Sequence, residues 1–227
     1  MSLAARRLAV ALKATAVAAL CAACATPPPT GTMGFFVTSA GPGDGANLGG
    51  LAGADAHCQK LAASAGAGNR TWRAYLSTSF TPTKAPVHAR DRIGMGPWFN
   101  AKGVLIARNI EELHGSANNV IKTTALTEKG AMVNGRTETP NTHDMLTGSR
   151  PDGTAFGVFP GQPDQTCGDW TRNGAGSAVV GHHDRSSPDT VSPWGVSWNA
   201  SHNTRGCSPD DLKSSGGAGL FYCFAAD

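Results

Sequence analysis

The sequence that decides the fold is Gly219-Leu-Phe-Tyr-Cys-Phe-Ala225, an uncharged run of apolar and aromatic residues with one cysteine. Its composition and its position predict a closing β-strand near the end of the chain. Another cysteine ends Leu51-Ala-Gly-Ala-Asp-Ala-His-Cys58, where apolar residues recur at helical spacing as far as Leu61. We therefore predict a helix here, and Gly66-Ala-Gly68 ends it. One cysteine lies on the predicted helix and the other on the predicted strand.

The rest of the chain is rich in residues that favour turns, with 29 glycines and 14 prolines among 227 residues. This composition argues against a helical bundle and favours short strands with long loops. Further strands are predicted at Gly34-Phe-Phe-Val-Thr-Ser39 and Thr71-Trp-Arg-Ala-Tyr-Leu-Ser77, and a short helix at Asn109-Ile-Glu-Glu112, which has capping-box spacing. Beyond Thr124 the sequence predicts mostly turns. Because no second linker or repeat follows, we predict one α+β domain over residues 34–227.

The first 23 residues have the three parts of a secretion signal: a basic start at Arg6 and Arg7, a short apolar run, and small residues before Cys24. Removing this leader, which also contains Lys13, brings the 19 basic residues down to 16, the number of acidic ones. Bulk charge therefore gives no reason to expect a nucleic-acid partner.

The end of the leader, Leu20-Cys21-Ala22-Ala23-Cys24, resembles a bacterial lipobox, with Cys24 as the lipidated residue and Cys21 where an aliphatic residue is more usual. Residues 24–33 then form a proline-rich tether, which is extended and stiff. Ala25 rather than aspartate follows Cys24, and by resemblance to sorted lipoproteins this predicts the outer membrane. The alternative is an ordinary cleavage after Ala25, which would give a secreted or periplasmic protein.

Four further cysteines, Cys58, Cys167, Cys207 and Cys223, are expected to form two disulfides, for which three pairings are open. The layout resembles the C-type-lectin-like fold, and more closely its endostatin-like branch in bacterial surface lipoproteins. Besides the segments quoted above, the resemblance is carried by Gly96-Pro-Trp-Phe-Asn100, Thr166-Cys-Gly-Asp-Trp170 and Ser197-Trp-Asn-Ala-Ser-His202.

This resemblance implies nested pairs, Cys58 with Cys223 and Cys167 with Cys207. It also implies a binding or adhesion module at the cell envelope, because similar bacterial proteins include adhesins for host matrix or complement proteins. The fold does not specify the ligand. We expect a protein or glycan ligand on the loops between Asn134 and Pro209, a membrane contact through the lipid alone, and a monomer.

A calcium-dependent sugar site is the first alternative. In calcium-dependent lectins a Gln-Pro-Asp triplet supplies oxygen ligands to the ion, and this chain has Gln162-Pro163-Asp164 before Cys167. Asn199 lies in the segment that corresponds to the second set of calcium ligands, but Ala200 stands where those lectins have another acid. The triplet is equally a natural turn sequence. Calcium is thus the one cofactor that the sequence suggests.

The histidines allow a different metal. His182-His183-Asp184 looks like a metal cluster, yet neighbouring side chains of an extended segment point to opposite sides, so at most one of the two rings faces a given site. A zinc site would need His143, Asp144 or His202 brought close by folding. The competing interpretation is that His182 and His202 bind loop backbone near the inner disulfide.

Trp194 and Trp198 flank Gly195, and an exposed indole there could stack on a sugar or anchor a protein. We find no Gly-x-Ser-x-Gly elbow, no His-Glu-x-x-His and no phosphate loop, so no enzyme is expected. The second alternative is an envelope hydrolase that uses a His/Asp pair such as His143-Asp144. The predicted ligand-binding residues are Gln162, Asp164, Trp194, Trp198, Asn199 and His202.

Overall fold

Short strands and a few helices make up a mixed α+β structure. The computed structural model describes residues 31–188 and 195–227. The α-helices are α1 (Gly50–Ser64), α2 (Ile110–His114) and α3 (Pro209–Ser215). The strands are β1 (Phe35–Val37), β2 (Trp72–Ala74), β3 (Trp98–Phe99), β4 (Leu105–Ala107), β5 (Asp144–Leu146), β6 (Val179–His182), β7 (His202–Asn203) and β8 (Gly217–Ala225).

The predicted closing strand, β8, organises the main sheet. Its C-terminal half pairs antiparallel with β1 and with β2, so that Cys223 lies opposite both Phe36 and Ala74. Its N-terminal half pairs parallel with β5, and the sheet continues through β6 to β7. The strand near the end of the chain thus joins the first strands to the later loop region.

Alternate residues of β8 supply two apolar cores, as the twofold side-chain period of a strand requires. Phe221 and Cys223 belong to the core that includes the buried residues of α1. Leu220, Tyr222 and Phe224 belong to the other core, which contains Trp98 and Tyr75. Both faces of the strand are buried, which explains why its sequence has no polar alternation.

Helix α1 is fixed to the neighbouring strand by a buried carboxylate. Asp55 accepts a hydrogen bond from the backbone N–H of Ala74 at 2.9 Å and two from the guanidinium of Arg92 at 2.7 and 2.8 Å. Such an arrangement satisfies a buried charge that would otherwise destabilise the fold.

Two disulfides are present, Cys58–Cys223 and Cys167–Cys207. This is the nested pairing implied by the resemblance, one of the three that the sequence left open. The outer bridge joins α1 to β8. The inner bridge holds the Cys167–Trp170 turn, in which all four residues have positive φ angles.

The local predictions before Thr124 are confirmed in their main elements. The first helix ends just before Gly66, whose φ angle is 81°. Asn109 caps α2 by accepting a hydrogen bond from the backbone N–H of Glu112. Beyond Thr124 the prediction of mostly turns missed β5, β6, β7 and α3. Three of these are strands of two to four residues, too short to show a period, and they form because they pair with β8 and with one another.

The leader, Cys24 and Trp194 lie outside the described residues. In the described ranges, no helix has both the length and the hydropathy that a membrane span needs.

The two disulfides are expected to contribute unequally to stability, because they close loops of different length. Their sequence separations are 165 and 40 residues. Replacing Cys58 and Cys223 together by serine should lower the free energy of unfolding by about 5 kcal/mol, against about 4 kcal/mol for Cys167 and Cys207, if chain entropy dominates. Urea unfolding of both double variants measures this difference, and peptide mapping that paired Cys58 with Cys167 or Cys207 would contradict the fold.

Candidate metal centre

Three neighbouring strands bring a buried carboxylate and three imidazoles together. Asp144 is the first residue of β5 and lies directly opposite His182, the last residue of β6. His202 begins β7, one strand further along the sheet. His143 precedes Asp144, and its ring stacks on that of His182 with the centroids 4.1 Å apart. The four side chains therefore meet at one edge of the β5–β6–β7 segment.

Glycines allow the backbones to approach closely enough for this cluster. Gly216, in the left-handed region at φ 113°, precedes β8, and a side chain there would crowd the ring of His143. At Gly181, next to His182, an added Cβ would collide with the carbonyl oxygen of Trp198. The absence of a side chain at Gly181 lets the segment that leads to His202 lie against β6.

One oxygen of Asp144 is the centre of the cluster. Its Oδ1 atom lies 3.2 Å from Nε2 of His143, 3.3 Å from Nε2 of His182 and 3.4 Å from Nε2 of His202. Asp144, His143 and His182 are all buried, and their candidate ligand atoms lie within 4.8 Å of one another. His202 is the outermost of the four, with 40% of its side chain exposed.

The other nitrogen of each ring determines which nitrogen carries the proton. Nδ1 of His143 faces the carboxylate of Asp184 at 3.1 Å. Nδ1 of His182 faces the carbonyl of Gly195 at 2.8 Å, and Nδ1 of His202 faces the carbonyl of Asn203 at 3.1 Å. Since these oxygens only accept hydrogen bonds, a proton on Nδ1 satisfies each of them. In that tautomer all three Nε2 lone pairs are directed towards the oxygen of Asp144.

This convergence leaves buried polar atoms without a hydrogen bond. Both carboxylate oxygens of Asp144 and Nε2 of His182 have no hydrogen-bond partner. Lone pairs that face one another repel, and buried groups left without a partner cost free energy. A cation between them, or additional protons on the rings, would remove that cost.

The acid–base properties of the site show how strongly these groups interact. Burial alone would raise the pKa of Asp144, but the imidazoles of His182 and His202 outweigh it and hold this pKa below its usual value. The same carboxylate raises the pKa of His202. For Asp184, burial would again raise the pKa, but hydrogen bonds from His143 and from the backbone N–H groups of Arg136 and Ser186 lower it strongly. Asp184 is therefore an ionised acceptor for His143.

The distances from Asp144 are those expected around a metal ion. A zinc ion with four ligands at ~2.0–2.1 Å holds neighbouring ligand atoms ~3.3–3.4 Å apart. The three distances from Asp144 Oδ1 lie between 3.2 and 3.4 Å, the length of three edges of such a tetrahedron. The group whose ligand atoms all lie within 4.8 Å of one another consists of His143, Asp144 and His182, with His202 outside it. Imidazole and carboxylate groups are common zinc ligands. A histidine ligand is usually oriented by a hydrogen bond from its other ring nitrogen, and the Nδ1 contacts are of this kind.

The prediction for the adjacent histidines is confirmed in its geometry. His182 faces the cluster, whereas the His183 ring points away and places Nε2 3.1 Å from the carbonyl of Asn134. Burial lowers the pKa of His183, so its ring is neutral near pH 7. The expected contacts of His182 and His202 with loop backbone also exist, through Nδ1, and they leave Nε2 free for the centre.

The residues of the predicted calcium site have other partners. Oδ1 of Asp164 accepts hydrogen bonds from the backbone N–H and the hydroxyl of Thr166, and Oδ2 accepts one from the N–H of Gly168. Gln162 Oε1 accepts from the N–H groups of Val158 and Phe159. These oxygens stabilise the loop before the inner disulfide, which is the turn role that the sequence offered as the alternative.

Asn199 and Trp198 are interior residues rather than ligand-facing ones. Asn199 is 1% exposed, and its amide donates to the hydroxyl of Tyr75 at 2.9 Å. The indole of Trp198 is 3% exposed and packs between the rings of Tyr75 and Tyr222 at 4.9 and 5.2 Å. The expectation of an exposed indole is therefore wrong at Trp198, because the aromatic core around Tyr222 takes it up.

The hydrolase alternative depends on a histidine that contacts both a carboxylate and a nucleophile. His143 lies between two carboxylates, Asp144 and Asp184, and His182 lies between Asp144 and a backbone carbonyl. These contacts suit candidate metal ligands and the groups that orient them. They include no serine, threonine or cysteine nucleophile, and the hydrolase hypothesis stays a prediction.

Comparison with models of protein families and with curated proteins finds no match for this chain.

If Asp164 stabilises a loop, its replacement should destabilise the protein to the same extent with calcium and with chelator. Asp164→Asn turns one of the two acceptor oxygens into an NH2 donor, so at least one of these hydrogen bonds is lost, and it is expected to lower the free energy of unfolding by about 1–3 kcal/mol in both conditions. Thermal and urea unfolding measure this, with the exposed Asp91→Asn as the matched control. A loss that appears only when calcium is present would instead support the calcium site.

Proposed function

We propose that this chain is a zinc-dependent binding module of the bacterial cell envelope, built on a C-type-lectin-like, endostatin-like fold. The zinc centre consists of His143, Asp144 and His182, with His202 as the fourth, outermost ligand. The observation that carries the proposal is the convergence of three Nε2 atoms on one buried oxygen of Asp144.

Two features support the lectin-like fold. The nested disulfides are the pairing that the resemblance implied, and the outer one joins the first helix to the closing strand. The loop region between these elements is held by the inner disulfide and contains all four proposed zinc ligands. A rigid scaffold with functional loops is typical of binding domains.

The ligand set favours binding over catalysis. Three imidazoles and one carboxylate complete a four-coordinate zinc site, and four protein ligands are typical of zinc ions that stabilise structure. Zinc would also join β5, β6 and β7 with the residue that precedes β5. Because the free energy of metal binding adds to the stability of the folded state, zinc would order the loop face on which a partner docks.

The zinc centre can be tested by calorimetric titration of the purified protein with Zn²⁺ and by its thermal unfolding. Asp144→Asn and His182→Ala each remove a ligand and should weaken zinc binding by more than about 100-fold. Asp184→Asn keeps all four proposed ligands but weakens the support of the His143 ring, and should weaken zinc binding by about 10- to 100-fold.

His57→Gln, a histidine of α1 away from the centre, is the matched control and should bind zinc like the unchanged protein. Circular dichroism shows whether each variant is folded. A folded, unchanged protein that neither binds Zn²⁺ nor gains thermal stability from it would refute the zinc centre.

The location at the envelope is supported by the leader sequence alone. If Cys24 carries the lipid, Cys24→Ala should move the protein from the membrane fraction to the soluble fraction. Cys21→Ala, which leaves Cys24 in place, is the control and should stay with the membrane. An unchanged distribution of the Cys24 variant would refute the lipid anchor at Cys24.

A further inference from the structure

A cavity opens on the outer side of the zinc centre. Its volume is about 510 Å³, and His143, His182 and His202 form part of its wall. Arg136 and Arg205 line the same cavity and are exposed. The buried ligands thus lie at the inner end of the cavity, and the two arginines can be reached from solvent.

Counted over the described residues, the cavity carries a net positive charge once zinc is bound. The charge of the ion is offset by the carboxylates of Asp144 and Asp184, which leaves the two guanidinium groups in excess. Among the described residues, no carboxylate lies within 4 Å of either guanidinium, and no acidic residue lines the cavity. A concave site lined by one sign of charge concentrates ligands of the opposite sign.

The arginine side chains also suggest which anions fit. Guanidinium groups bind the oxygens of carboxylate, phosphate and sulfate through charge-assisted hydrogen bonds. His202 is the outermost and most exposed ligand, and an oxygen ligand from the cavity can replace it, which leaves the zinc ion four-coordinate. The cavity offers both kinds of partner to one bound group.

We propose that the zinc ion and the two arginines together bind an oxyanion, the carboxylate, phosphate or sulfate group of a ligand that enters the cavity. This inference rests on the proposed zinc centre. The anion takes the coordination position of His202 on the cavity side of the ion, and one or both guanidinium groups of Arg136 and Arg205 bind its remaining oxygens. Recognition of the partner then depends on an acidic group at this position.

The test uses the Co²⁺-loaded protein, because ligand changes at Co²⁺ alter its visible absorption. Sulfate, methylphosphonate and acetate are titrated separately at constant ionic strength set with perchlorate, and calorimetry gives the affinities. The three anions distinguish a sulfate, phosphate or carboxylate ligand. Metal content after dialysis shows that the anion binds to the site and does not extract the metal.

The double variant Arg136→Gln/Arg205→Gln should weaken anion binding about tenfold, as two partly exposed charge-assisted contacts would, and leave the zinc affinity within about twofold. Arg172→Gln, an exposed arginine outside the cavity, is the control and should change neither affinity. If zinc does not bind, the zinc centre itself fails. If zinc binds but no anion alters the Co²⁺ spectrum, or the double variant binds anions like the control, the oxyanion site alone is refuted.

Discussion

The cross-strand pair of Asp144 and His182 is the arrangement on which the site depends. Antiparallel pairing of β5 with β6 places these residues opposite each other, and a slip of one residue would present His183 instead. The register is fixed from the other side, where β5 pairs parallel with β8 and Asp144 lies opposite Gly217. Because β8 is buried on both faces, its own position is fixed, and its pairing with β5 fixes the register of β5.

The disulfides connect this register to the rest of the chain. Cys58–Cys223 fixes β8 against α1, and β8 in turn aligns β5. Cys167–Cys207 lies on the other side of the site, and the residue before Cys167 bridges to Ala178, next to β6. The strands that carry the proposed zinc ligands are thus held from both ends. Reduction of either bridge would loosen the cluster through strand register, without contact between sulfur and metal.

The sequence predicted the elements whose signals are local. Helical spacing up to Leu61 located α1, and the uncharged run at Gly219 located β8. The strands β5, β6 and β7 are too short for a period, so the meeting of His143 and Asp144 with His182 and His202 could not be predicted from spacing. The residues themselves were visible as candidates, and the twofold period correctly implied that only one of His182 and His183 faces a site. The tautomers, which decide the chemistry, depend on carbonyls such as that of Gly195 that only the fold supplies.

The contacts with loop backbone and the proposed metal ligation involve different nitrogens of the His182 and His202 rings. Nδ1 satisfies a backbone carbonyl, and that bond directs the lone pair of Nε2 towards Asp144. Without a cation, the protein must place extra protons on the rings or leave buried lone pairs opposed, and either state competes with zinc. The loop hydrogen bonds and the metal centre therefore support each other, since a ring turned to bring Nε2 to the carbonyl would lose both.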